Sequence, residues 1–368
     1  MEKDLKKYNL GWALLKLWMC YEVVMVHAWN AWGYPKGEWP FGTELIKEMR
    51  AYAVPVFMLI TFYLAAAKFR ANDGGWLGKR FARLLTPHVF WSVLAFVTWG
   101  ALASAFPTFG MDASNGAFWT SACKDPSTPI TFEYLGLQLL FGTTRTLGSQ
   151  MWFQSVLIIL TGLFAVFFRL VKPRYVTWGL AVVFLGAAMA EHSGLNRWLF
   201  EGFRYEICNP AGRIIPMMPY AALGLFFGAY KPVFAAFETG RRWALVAIGA
   251  AIAVFLLNFD VFVVPPGFYY RGFKMLFVAF GLVMAFGFLP TGKLPERVRT
   301  AIVWASRYSM GVYFVHIFLG KLLEELVFPH VGLVPQSFSG GCAVFVVSFL
   351  FCWLVSLVPA RRIRELVS

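Results

Sequence analysis

Ten runs of mostly apolar residues, most of them near 20 long, divide this chain: roughly 10–30, 51–67, 87–106, 151–168, 175–191, 214–230, 243–264, 270–289, 300–322 and 341–358. A helix of about 20 apolar residues spans the roughly 30 Å hydrocarbon core of a bilayer. Lipid offers no partner to a bare backbone group, so helices are the natural spanning element for such runs. The chain is therefore expected to be an all-α, polytopic membrane protein. Composition agrees: 59% of the residues are hydrophobic and 14% charged, where a soluble domain has about half and about a quarter. The gaps between runs are short, so residues 1–368 read as a single membrane-embedded domain with no separate soluble domain. The first run is long, contains charges and lacks a small-residue cleavage site, so it reads as a retained helix and not a cleaved signal.

Net charge is +14. The basic residues sit in loops between apolar runs, which points to membrane orientation and away from nucleic acid. With the N-terminus inside, the loops and tails on the inner side (1–9, 68–83, 169–174, 231–242, 293–299, 361–364) carry 20 Lys and Arg, and those on the outer side carry 11. Both termini are expected to be cytoplasmic. The longest polar stretches, 107–150 and 192–213, then lie outside and hold one cysteine each, Cys123 and Cys208. In an oxidising compartment these two either pair or stay free thiols. Five cysteines and five scattered histidines show no ligand spacing, so no metal is expected.

Against this apolar background, the charges inside "KLWMCYEVVMVHAWN" (16–30) are costly, about 2.5–3.5 kcal/mol each at mid-bilayer. Lys16 and His27 are eleven residues apart, which places them within about 20° of one another and about 16 Å apart along the helix. Glu22 lies about 140° round from His27 and should meet a different helix. In "ASRYSMGVYFVH" (305–316), Ser309 and His316 share a face, while Arg307 points away. In "KRFARLLTPH" (79–88), Arg80 and Arg83 stand three apart at the expected cytoplasmic start of a helix, a spacing that lets two guanidiniums converge on one anion. Each has a plain structural alternative: snorkelling for Lys16, an ion pair for Glu22, packed or interfacial histidines, and ordinary inside-positive charge for the arginines.

These fragments, in order, resemble the acyltransferase-3 family of integral membrane enzymes. That family opens with Arg, ten residues, then His; here Lys16 and His27 stand in those places. "VPVFMLITFYLAA" (54–66), Arg80 with Arg83, "QMWFQSVLI" (150–158) and "SMGVYFVH" (309–316) match its later motifs. The departures are Lys16 for Arg, Thr61 and Phe62 for Ser-Gly, and Gln150 for a common His. Lysine keeps the charge and loses the planar fork.

The resemblance implies acyl transfer from acyl-CoA, most often acetyl-CoA, to a hydroxyl of a sugar, polysaccharide or other cell-envelope glycan, at a bacterial cytoplasmic membrane. Acyl-CoA is then a co-substrate, with no permanently bound cofactor. It implies His27 as general base or transient acyl carrier, with Glu22 helping to set a partner or a protonation state. Lys16, Arg80 and Arg83 would hold the donor, and Ser309, His316 and Trp152 would line the substrate pocket. The competing expectation is a transporter or flippase for a glycan or lipid-linked intermediate; against it, no internal repeat and no pair of Gly/Pro-broken helices is visible.

Overall fold

A computed structural model of the chain describes residues 9–28, 52–105, 135, 136, 139, 140, 149–193, 195, 199, 212–258, 273–292, 294–333, 338–359 and 366. Cys123 and Cys208 lie outside the described residues, as does most of the two long polar stretches. The described residues form helices and turns with no strand. The longer helices are α1 (Leu10–Ala28), α2 (Ala53–Arg70), α3 (Gly74–Ala105), α4 (Trp152–Leu170), α5 (Val176–His192) and α6 (Ile214–Ala229). They continue as α7 (Thr239–Asn258), α8 (Phe273–Gly287), α9 (Glu296–Arg307), α10 (Ser309–Leu326) and α11 (Phe338–Ser356). Seven of these, α1 to α5, α7 and α11, contain stretches long and apolar enough to cross a membrane, and α6 and α8 are shorter apolar helices. The protein is an all-α, multi-pass membrane protein.

Two expectations about element boundaries are corrected. The apolar run predicts a third span starting near residue 87, with Arg80 and Arg83 before it or at the start of the helix. The helix starts at Gly74, because Asp73 caps it: its Oδ1 accepts the Trp76 amide N–H at 2.9 Å. Asn72, at φ 48°, makes the left-handed turn that ends α2, a conformation asparagine tolerates. Pro87 sits inside α3 and cannot donate to the preceding turn. The carbonyl it leaves without a helical donor is that of Arg83, and at the next residue Gln154 of α4 donates to the Leu84 carbonyl at 2.9 Å, a side-chain bond of the kind that makes proline tolerable in lipid.

The ninth run, read as one span over 300–322, is two helices broken at Tyr308. The hydroxyls of Ser306 and Ser309 donate to the carbonyls of Val303 and Ser306, both at 3.0 Å, local bonds that compete with a continuous helix. The first piece, α9, is amphipathic and ends at Arg307, which is exposed. Arg307 is therefore not a charge inside a span.

Tight contacts fix the packing. At one end of α1, Asn9 accepts the Trp12 N–H at 3.1 Å and donates to Gly287 O at 2.6 Å, while Trp12 Nε1 donates to Val283 O at 3.1 Å. A Cβ on Gly11 would strike the Phe286 carbonyl, so α1 and α8 run antiparallel with backbones nearly touching. Gly224 and Gly228 of α6 bring its backbone equally close to Leu59 O and Tyr63 O of α2, here in a parallel pair, and Gly249 and Gly281 face one another between α7 and α8. Small residues take this place because lipid is as apolar as leucine and helices associate by close fit. Outward-facing side chains such as Trp178, Val182 and Met189 on α5 and Val254 and Phe255 on α7 are exposed, as a lipid-facing surface requires.

Candidate active site

Helices α1 and α10 run parallel. Cys20 Sγ donates to Ser309 O at 3.4 Å, and seven residues further along both helices the rings of His27 and His316 meet, centroids 5.1 Å apart and planes at 47°. Seven residues are about 10 Å of helix, so the two contacts lie at two heights of one seam. Ser309 is thus about two turns from the histidine pair, with its hydroxyl held by Ser306 O.

His316 is held in one tautomer. Its Nδ1 lies 3.1 Å from the Val312 carbonyl, and a carbonyl only accepts, so Nδ1 carries the proton. In the neutral ring Nε2 is then a bare acceptor, and it is buried with no hydrogen-bond partner among the described residues. The neighbouring Tyr313 donates its hydroxyl to the Gln150 carbonyl, and Gln150 Nε2 donates to Phe314 O at 2.8 Å. Gln150, in the 3₁₀ turn before α4, therefore clamps α10 at two adjacent residues, Tyr313 and Phe314, just before His316.

Trp152 opens α4 beside this clamp, and the Arg213 guanidinium carbon lies 3.9 Å above its ring. Such stacking holds a cation in a fixed place. Arg213 is also within electrostatic reach of His27. The site thus gathers His27, His316, Trp152 and Arg213 from four helices. Arg213 was counted among loop charges in the sequence; its position just before "IIPMMPY", at the start of α6, was the one available signal.

The other expected residues lie elsewhere. Lys16, half-buried, is eleven residues down α1 from His27 and makes no hydrogen bond or ion pair with a described residue. Glu22 is 1% exposed and accepts the Trp18 Nε1–H at 2.9 Å, so it faces away from His27 as its helical position demands. The α1–α8 register set at Gly11 and Phe286 brings the buried Lys274 to about the height of Glu22. Glu22→Ala is expected to cost about 1 kcal/mol by stripping the part-buried Trp18 indole of its acceptor, and Glu22→Gln less; thermal unfolding in detergent reads the difference.

Arg80 sits toward the Lys16 end. Its Nε donates to Thr161 Oγ1 at 3.4 Å, nine residues along α4 from Trp152, or about 14 Å. Its guanidinium lies over the rings of Trp76 (5.3 Å) and Phe62 (5.7 Å). Phe62 is one of the two departures noted at Thr61-Phe62, and it supplies a face that glycine could not. Arg80 Nη2 is buried without a hydrogen-bond partner among the described residues, and Arg83, one turn on, is exposed and within electrostatic reach. Between the two ends, α3 and α4 carry further buried polar atoms with no such partner, His88 Nδ1, Ser92 Oγ and Gln154 Oε1, and Gln150 Oε1 in the 3₁₀ turn is another. No group of three or more metal-ligating side chains occurs among the described residues.

A sequence model described as an acyltransferase domain, that of the acyltransferase-3 family, matches residues 9–357. No curated protein and no solved structure matches the chain.

Proposed function

Because the chain belongs to the acyltransferase-3 family, and is therefore a multi-pass membrane acyltransferase, we propose that it moves an acyl group, acetyl first among candidates, from acyl-CoA to a hydroxyl of a sugar, polysaccharide or other cell-envelope glycan. The observation that carries this reading is the meeting of His27 and His316 beside Arg213 and Trp152. Acyl transfer to a hydroxyl needs a group that accepts the hydroxyl proton and a fixed positive charge near the developing oxyanion. Neutral imidazole supplies the first and the stacked guanidinium the second. His27 acts as general base or as transient acyl carrier.

The positive-inside count puts Lys16 and Arg80 toward the cytoplasm and the histidine pair toward the outer face of a bacterial cytoplasmic membrane. Acyl-CoA enters from the cytoplasm, with its phosphates at Arg80 and Arg83 and the thioester end passing Lys16 toward His27. The arm between phosphate and sulfur contains two amides. Its length is that of a four- to five-residue extended peptide, about 15 Å, close to the separation of Arg80 from the histidine level. Its amides suit the partnerless buried atoms of Ser92, Gln150 and Gln154. The acceptor hydroxyl approaches from the outer end.

The deciding experiment is turnover of acyl-CoA by purified protein in liposomes, with candidate glycans as acceptors and products read by mass spectrometry. Protein that consumes no acyl-CoA with any acceptor sinks the reading. Replacing Arg80 and Arg83 by alanine is expected to raise the apparent KM for acetyl-CoA about 10- to 100-fold, the worth of one or two charge-assisted hydrogen bonds. An unchanged KM returns both residues to plain orientation charge.

A further inference from the structure

Resting on that reading, we propose a division of labour between the two histidines: His316 is the base that takes the proton of the acceptor hydroxyl, and His27 is the carrier of the acyl group. The geometry separates them. His316 Nδ1–H is committed to Val312 O, so the only nitrogen it can offer is Nε2, a fixed lone pair with no hydrogen-bond partner among the described residues. The clamp by Gln150 on Phe314 O, with the Tyr313 hydroxyl on the Gln150 carbonyl, holds that turn of α10 in place. A group built this way can accept and return a proton without reorienting, which is what a general base needs. It is badly placed to become a carrier, because acylation at Nε2 requires the other ring nitrogen to release its proton, and Nδ1–H is held on Val312 O. His27, at the last turn of α1, is part-buried with its Nδ1 enclosed, its ring carries no hydrogen bond to a carbonyl one turn back of the kind that fixes His316, and it is the ring within reach of the Arg213 charge. A ring separation of 5.1 Å leaves the carrier nitrogen and the basic nitrogen close enough to share one hydroxyl.

The steps balance. A ring nitrogen of His27 attacks the thioester carbonyl with its lone pair, the C–S bond breaks, and the departing thiolate takes the imidazolium N–H proton to leave as CoA thiol. His27 is then a neutral N-acyl-imidazole. The acceptor oxygen attacks that acyl carbon as its proton passes to His316 Nε2. The tetrahedral adduct collapses with cleavage of the C–N bond, the ester leaves, and the proton on His316 moves to the His27 nitrogen. Both histidines end neutral.

The test uses full-length protein in liposomes with acetyl-CoA, isotopically labelled CoA, and three acceptors: water, glycerol and hydroxylamine. Exchange of labelled CoA into acetyl-CoA reports the carrier step alone. Hydroxylamine attacks as a neutral nucleophile and needs no base, so it bypasses the second step. The chosen variant is His316→Asn, whose amide can still donate to Val312 O while Nε2 is gone. It is expected to keep exchange within about tenfold and to lose transfer to water and glycerol about 100-fold or more, with hydroxylamine restoring turnover. His27→Ala is expected to lose exchange and hydroxamate formation together. Wild-type transfer without exchange overturns the carrier role, and His316→Asn protein that still acylates glycerol overturns the base role. Exchange and transfer falling in step in His316→Asn, with no rescue by hydroxylamine, reduce His316 to a packing residue and overturn the proposal. Wild-type protein that consumes no acyl-CoA at all is a different result, and it removes the donor assignment on which the proposal rests.

Discussion

Replacement of His27 by alanine is expected to lower acyl transfer at least about 10³-fold while leaving the protein folded. General-base contributions run to about 10²–10⁴, and loss of a covalent carrier removes a step altogether. The residue sits in the last turn of α1, where its ring packs against His316. Other contacts also hold α1 in place: at Asn9 and Trp12 toward α8, at Trp12 against the Tyr63 ring of α2, and at Cys20 toward α10. Truncating His27 leaves all of them intact. Size-exclusion behaviour and the helical circular dichroism in detergent should therefore match the wild type, and the rate alone should collapse. A variant that turns over acetyl-CoA at the wild-type rate would remove His27 from the mechanism.

Gly224→Val should produce the largest loss of stability. A Cβ at Gly224 would run into the Leu59 carbonyl, with the Tyr63 amide nitrogen 3.0 Å away. Both are backbone atoms, which no rotamer change can move aside. The α2–α6 pair must separate, at a cost of about 3 kcal/mol, the upper part of the usual range for overpacking. That separation also moves Phe62 under Arg80 and shifts the start of α6, where Arg213 is stacked on Trp152. Gly186→Val is the matched control, because nothing lies within 4 Å of a Cβ built there. Detergent unfolding midpoints that drop equally for the two variants would argue against close α2–α6 packing as the cause.

Some of the site was readable from helical periodicity. Lys16 and His27 share a face of α1 and Glu22 leaves it, because 100° per residue fixes direction round an axis once the helix is known. His316 stood out as a polar residue in an apolar run. Periodicity does not say which other helix a face meets, so the pairing of His27 with His316 could only be read through the motifs of a family. Arg213 looked like any outer-loop cation, because its value comes from standing over Trp152, 61 positions earlier in the chain. The start of α3 was missed because Asp73, Gly74 and Gly75 read as a loop, although Asp73 caps a helix. The break at Tyr308 was missed because hydropathy does not register two serine hydroxyls that turn back onto the preceding carbonyls.

By itself, the sequence determined the class of the molecule. Ten apolar runs in a chain with 14% charged residues can satisfy their backbones in lipid as helices, and the uneven placement of Lys and Arg sets an expected direction of crossing. Only the tertiary structure decided which helices touch and at what height. The reason is the solvent: in a bilayer every face of an apolar helix is equally at ease, so hydrophobicity does not choose neighbours. The choice falls to shape and to a few hydrogen bonds. Gly224 and Gly228 under α2, Gly249 against Gly281, and Gln150 clamped on α10 are those details. Together with the parallel seam of α1 and α10, they bring residues 27, 152, 213 and 316 to one place.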